Sequence, residues 1–70
     1  MNQFKIQVPK KDSARVLAEV VKFAEEKGIT LVPLTRGIID EADTQNSTVY
    51  ATFPSNFNLD PLHAKVKEIL

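Results

Sequence analysis

Seventy residues with nine basic and nine acidic side chains carry no net charge and no cysteine. A chain of this length makes one domain and buries only ~60% of the surface its unfolded form exposes, which leaves little room for a deep cleft. Balanced charge excludes a general nucleic-acid coat, whose affinity comes from neutralising phosphates. The lack of cysteine excludes a disulfide framework and thiolate chemistry.

The chain opens on Gln3 to Val8, where Phe4, Ile6 and Val8 alternate with Gln3, Lys5 and Gln7. That period of two predicts a strand with one buried face, ended by Pro9. The same alternation, starting at Met1, is unlike the continuous apolar core of a secretory signal. No apolar run elsewhere approaches the ~20 residues of a membrane span. The cytoplasm is therefore the expected compartment.

Asp12 or Ser13 is positioned to cap a helix over Ala14 to Lys27, since either side-chain oxygen accepts from a free first-turn amide. Leu17, Val20, Val21 and Ala24 recur at helical spacing, flanked by Val16 and Phe23, and define the buried stripe. Gly28 stands where a left-handed C-terminal cap belongs.

Ile29 to Ile39 has β character on both faces: Ile29, Leu31 and Pro33 alternate with Thr30, Val32 and Leu34. Pro33 offers no amide donor, which predicts an edge strand. Gly37 predicts a bulge or the strand's end. Asp40 to Ser47 is turn-rich and acidic, and Thr48 to Phe53 returns as a strand with Val49, Ala51 and Phe53 inward and Tyr50 outward. After a loop over Pro54 to Asn58, Asp60 and Pro61 read as N-cap and first helical residue. Leu62, Val66, Ile69 and Leu70 supply the apolar stripe of a closing helix.

The expected fold is a single α+β domain over residues 1–70, in the order β-α-β-β-α. A right-handed crossover makes the first two strands parallel, and the hairpin makes the third antiparallel to the second. With Pro33 at an edge, both conditions give a three-stranded antiparallel or mixed sheet in the order 1-3-2. This arrangement resembles the split β-α-β core of ferredoxin-like domains without the final strand. A topological resemblance of this kind implies a fold and no activity.

The second strand gives the sequence its functional signal. A sheet with one wet face seldom carries a strand that is apolar on both sides. An apolar patch beside Tyr50 is a candidate interface. Lys5, Val32, Leu34 and Tyr50 are the expected protein-binding residues, and the unpaired outer edge of the first strand is a template for a partner or a second copy. Together they predict a small, non-enzymatic binding module, such as an inhibitor, adaptor or regulatory subunit, possible as a homodimer.

The rival expectation is a nucleic-acid site. Lys10, Lys11 and Arg15 gather at the first helix's start, near Lys5, where amides and cations can hold a phosphate, and Tyr50 offers a ring for stacking. Asp40, Glu41 and Asp43 lack the ordered ligand series and bend glycine of a calcium loop. His63 has no nucleophile or carboxylate at a motif spacing and is expected on the surface. No catalytic residue, cofactor site or metal site is predicted.

Overall fold

A computed structural model describes residues 2–40 and 45–70. Strand β1 spans Asn2–Pro9, helix α1 Ser13–Glu26, strand β2 Arg36–Asp40, strand β3 Asn46–Phe53 and helix α2 Asp60–Ile69. Short 3-10 turns occupy Lys10–Asp12 and Pro33–Thr35. The sheet has the expected order β1-β3-β2. Strand β3 runs antiparallel to both neighbours, so β1 and β2 are parallel to each other without touching.

Registration sorts the sheet into two faces, because successive side chains point to opposite sides. One face carries the rows Phe4–Ala51–Arg36, Ile6–Val49–Ile38 and Val8–Ser47–Asp40. The other carries Gln3–Thr52, Lys5–Tyr50–Gly37 and Gln7–Thr48–Ile39. Both helices lie on the first face. Val16, Val20, Phe23 and Ala24 of α1 and Leu62 and Val66 of α2 share one buried cluster with Phe4, Val49, Ala51 and Phe53. The helices also meet each other, through Arg15 Nη2 donating to the Ile69 carbonyl at 3.1 Å. The opposite face is left without a covering element among the described residues.

Helix α1 buries Val16, Val20, Phe23 and Ala24, with Leu17 and Val21 only half-buried. The apolar stripe is therefore rotated toward Val16 and Phe23 from the expected centre. Phe23 earns this position through an aromatic trio: its ring meets Phe53 at 6.3 Å and Phe57 at 6.0 Å, edge to face, while Phe53 and Phe57 stack at 5.4 Å. Such pairs add to the stabilisation from buried area. Asn2 closes the same end, its Nδ2 donating to the Phe57 carbonyl at 2.5 Å.

The start of α1 departs from expectation. Neither Asp12 nor Ser13 caps it by a side-chain bond. The 3-10 turn before it puts Asp12 already in helical conformation, where its carboxylate receives Arg15 Nη2 at 2.9 Å, and Ser13 Oγ donates backwards to the Lys10 carbonyl at 2.8 Å. At α2 the helix begins one residue earlier than read, with Leu59 as N-cap and Asp60 in the first turn. The Asp60 amide is met by Asn58 Oδ1 at 3.0 Å. Asn58, not Asp60, provides the side-chain oxygen there.

The largest correction concerns Ile29 to Ile39. Only Arg36–Asp40 joins the sheet, and Pro33 begins a 3-10 turn instead of sitting in an edge strand. The groups that a longer strand would need are already engaged. The Ile29 amide donates to the Ala24 carbonyl at 2.8 Å and closes the helix end, and Arg36 Nε takes the Leu31 carbonyl at 2.9 Å. Val32 remains extended at φ −81 and ψ 163, so its β conformation is that of a connector. Gly37 is also not a bulge: it pairs in register with Tyr50.

Gly28 does what its position implies. Its φ is +77, and its amide donates to the Glu25 carbonyl at 3.0 Å beside the Ile29–Ala24 bond. The pair forms a Schellman ending that satisfies two free carbonyls and turns Ile29 back onto the core. A Cβ at Gly28 would meet nothing within 4 Å, so its cost is backbone strain alone. Gly28→Ala is expected to lower the unfolding free energy by about 1 kcal/mol in urea titration.

Candidate interaction surface

The open face is built around Tyr50 in the middle of β3. Its cross-strand neighbours are Lys5 on β1 and Gly37 on β2. Lys5 and Tyr50 are thus side by side, as the alternation of each strand predicts. Val32 and Leu34 are not in this row. They precede β2 in the connector and the 3-10 turn, and the residue beside Tyr50 on β2 is Gly37. The expected patch of four side chains is therefore two pairs, one on the sheet and one off it.

Gly37 explains the lie of the tyrosine. A Cβ built there would stand 2.7 Å from Tyr50 Oη and 2.9 Å from Cζ, which means that the ring lies across the glycine backbone. An aromatic laid over a cross-strand glycine covers backbone that would otherwise face water. The phenol end of the half-buried ring lies over Gly37, and Lys5 stands beside Tyr50 on the strand at its other side. A flat, rigid aromatic with a polar tip is the kind of group that anchors interfaces at small entropic cost.

Around β2 the surface turns apolar. Val32 is 47% exposed, Leu34 93%, Ile38 37% and Ile39 47%. Ile39 follows the Gly37 row on the open face, and Ile38 points to the helix-bearing face but is not fully covered at the sheet's margin. The outer edge of β2 pairs with no described strand. Single exposed apolar side chains are ordinary. Four fall within eight residues on and before an unpaired edge, with Ile38 and Ile39 on opposite faces of the sheet, and such a concentration is a candidate interface.

The basic residues at the start of α1 are dispersed. Lys10 Nζ is 3.7 Å from Asp40 Oδ1, and Arg15 is bound to Asp12 at 2.9 Å and to the C-terminal end of α2. Lys11 is exposed in the 3-10 turn. Lys5 alone among the expected cations shares a row with Tyr50. Asp40 also accepts from Ser47 Oγ at 3.0 Å, so this carboxylate is engaged within the fold. Glu41 and Asp43, its companions in the acidic loop, lie outside the described residues. Among the described residues no group of three metal-ligating side chains comes together. His63 is half-buried, with its ring 4.6 Å from Phe4 at a tilt of 42°. It packs on the core margin instead of standing free on the surface.

Gly37, Ile38 and Ile39 are the surface residues that the sequence did not single out as a site. Their signal was the hairpin register. Once Asp40 faces Ser47, counting back places Ile39 against Thr48, Ile38 against Val49 and Gly37 against Tyr50.

No helix among the described residues is long and apolar enough to cross a membrane. Compared with protein-family models, curated proteins and solved structures, the chain matches none.

The chain has one tyrosine and no tryptophan, so its intrinsic fluorescence reports on this site. Gly37→Ala is expected to lift the ring from the sheet. Acrylamide should then quench Tyr50 more strongly than in the wild type, while stability changes by less than about 1 kcal/mol. Unchanged quenching would mean that the ring does not rest on Gly37.

Proposed function

We propose that this chain is a small, non-enzymatic protein-binding module of the cytoplasm, acting as an inhibitor, adaptor or regulatory subunit. The observation that carries this is the exposed apolar run Val32, Leu34, Ile38 and Ile39 on and before the unpaired β2 edge. Tyr50, its phenol end over Gly37, and Lys5 extend it across the open face. Docking there would bury apolar side chains and add main-chain hydrogen bonds along an edge. The tyrosine would serve as the anchor and Lys5 as a polar rim contact. We also propose that the domain is a ferredoxin-like core lacking its last strand, which the order β1-β3-β2 with both helices on one face supports.

A second reading has one supporting observation: Lys5 directly opposite Tyr50 offers a cation and a ring to a single-stranded nucleic acid. The pairing of Lys10 and Arg15 with Asp40 and Asp12 weighs against a cationic track.

The double variant Leu34→Asp with Tyr50→Ala separates these readings. Immobilised wild type is expected to retain a specific protein from nuclease-treated lysate, and the variant to lose it, with a native circular dichroism spectrum in both. Retention by the variant would rule out this surface. Loss of all captured material on nuclease treatment would favour nucleic acid.

A further inference from the structure

Strand β2 reads Arg36-Gly37-Ile38-Ile39-Asp40, and its two ends carry opposite charges on the same face of the sheet. Arg36, Ile38 and Asp40 all belong to the helix-bearing side, in the rows of Ala51, Val49 and Ser47. If a second copy of this strand lies antiparallel alongside it, with Ile38 facing Ile38, then Arg36 of each copy stands opposite Asp40 of the other. The edge is therefore complementary to itself. We propose that a second copy of this chain pairs with it through the outer edges of β2, joining two three-stranded sheets into one of six strands. This deepens the protein-binding reading given above and rests on it, naming the partner for the β2 edge.

Each feature of the strand has a role in that pairing. The two Ile38 side chains, each 37% exposed, cover one another beside the two-fold axis, as an isologous contact requires. On the open face, Ile39 of the second copy falls opposite Gly37, where the absence of a side chain leaves it room to reach the Tyr50 ring overlying that glycine. Arg36 uses its Nε on the Leu31 carbonyl and forms no ion pair among the described residues. Its terminal nitrogens are left to the opposing carboxylate. Asp40 is 72% exposed at its side chain and keeps acceptor capacity beyond its bonds to Ser47 and Lys10, since a carboxylate has about four acceptor positions. Parallel pairing in register would set Arg36 against Arg36 and Asp40 against Asp40, so the charges also choose the direction. Opposite charges facing across strands stabilise a pair and like charges oppose it.

Charge exchange tests this on the whole chain. The R36D chain carries acids at both positions and the D40R chain bases at both. Sedimentation should show the wild type dimerising with concentration. Each variant alone should associate at least about tenfold more weakly, since like charges then face each other. An equimolar mixture of the two should restore dimers. A mixture that stays monomeric, with both variants folded by circular dichroism, would overturn the pairing.

A second variant leaves Arg36 and Asp40 in place. Residues directly opposed in an antiparallel ladder have Cα atoms about 4.5–5.5 Å apart, inside the disulfide range of about 4.4–6.8 Å. Since the chain has no cysteine, Ile38→Cys should cross-link two copies on mild oxidation, reversibly with reductant. Lack of cross-linking, or a wild type monomeric at millimolar concentration, would also overturn self-pairing. The wider reading would stand in that case if the Leu34→Asp, Tyr50→Ala chain still loses a protein that the wild type retains.

Discussion

Every backbone ladder in the sheet depends on β3, because β1 and β2 each pair with one of its sides and are not neighbours. Its inward row of Ser47, Val49, Ala51 and Phe53 is buried, and its small members matter as much as the large ones. Ala51 and Ser47 leave space that Phe4, Val8 and the two helices fill. A central strand of this kind fixes register strongly, since a slip by one residue would send Val49 and Phe53 to water and Lys5's neighbour Tyr50 to the core. From that register follow the pairing of Tyr50 with Gly37, the parallel run of the two outer strands and the exposure of both their edges.

Two helices and three strands in seventy residues can cover one side of a sheet. Both helices are committed to that side by their apolar stripes, and Arg15 ties them together at the Ile69 carbonyl. The other side is finished differently. Gln3, Lys5 and Gln7 are exposed there and Thr52 is half-buried, which makes it compatible with water, and Tyr50 shields the one glycine in the sheet. The sheet's apolar surplus is displaced to its β2 margin, where the connector and the short strand leave Val32, Leu34, Ile38 and Ile39 partly in solvent.

The elements whose signals are local were legible in the sequence. Alternation gave β1 and β3 nearly to the residue, and Gly28 ended α1 by the left-handed turn that its lack of a Cβ permits. The strand order β1-β3-β2 also followed from the crossover, the hairpin and an edge position read from Pro33, although Pro33 itself lies in the 3-10 turn before β2. Ile29 to Leu34 misled because an extended connector and a strand share the same backbone region and the same β-branched composition. What separates them is the destination of their hydrogen bonds, and the Ile29 amide and Leu31 carbonyl find partners in α1 and Arg36. The helix caps misled for a similar reason: the 3-10 turn before α1 turned Asp12 toward Arg15. Of the candidate surface, Lys5 and Tyr50 were legible together because each strand's parity is local. Gly37 and the isoleucines were not, since their place depends on how two strands align.

The two free edges differ in how they resist unwanted pairing, and that difference bears on whether association stops at two. β1 is guarded by Lys5 and by Pro9, which has no amide to donate. β2 has neither device along its length. Its guard is its shortness and the charges at its ends, and charges discriminate between registers where a proline would block all of them. A β2 edge that accepts its own kind only antiparallel and centred on Ile38 consumes itself in forming a closed, two-fold pair. The outer margins of the joined sheet are then the two β1 strands, each carrying the lysine and proline that discourage further growth. The exposed isoleucines, which on an unguarded edge would invite open-ended aggregation, are in this geometry removed from water by the one partner whose charges fit.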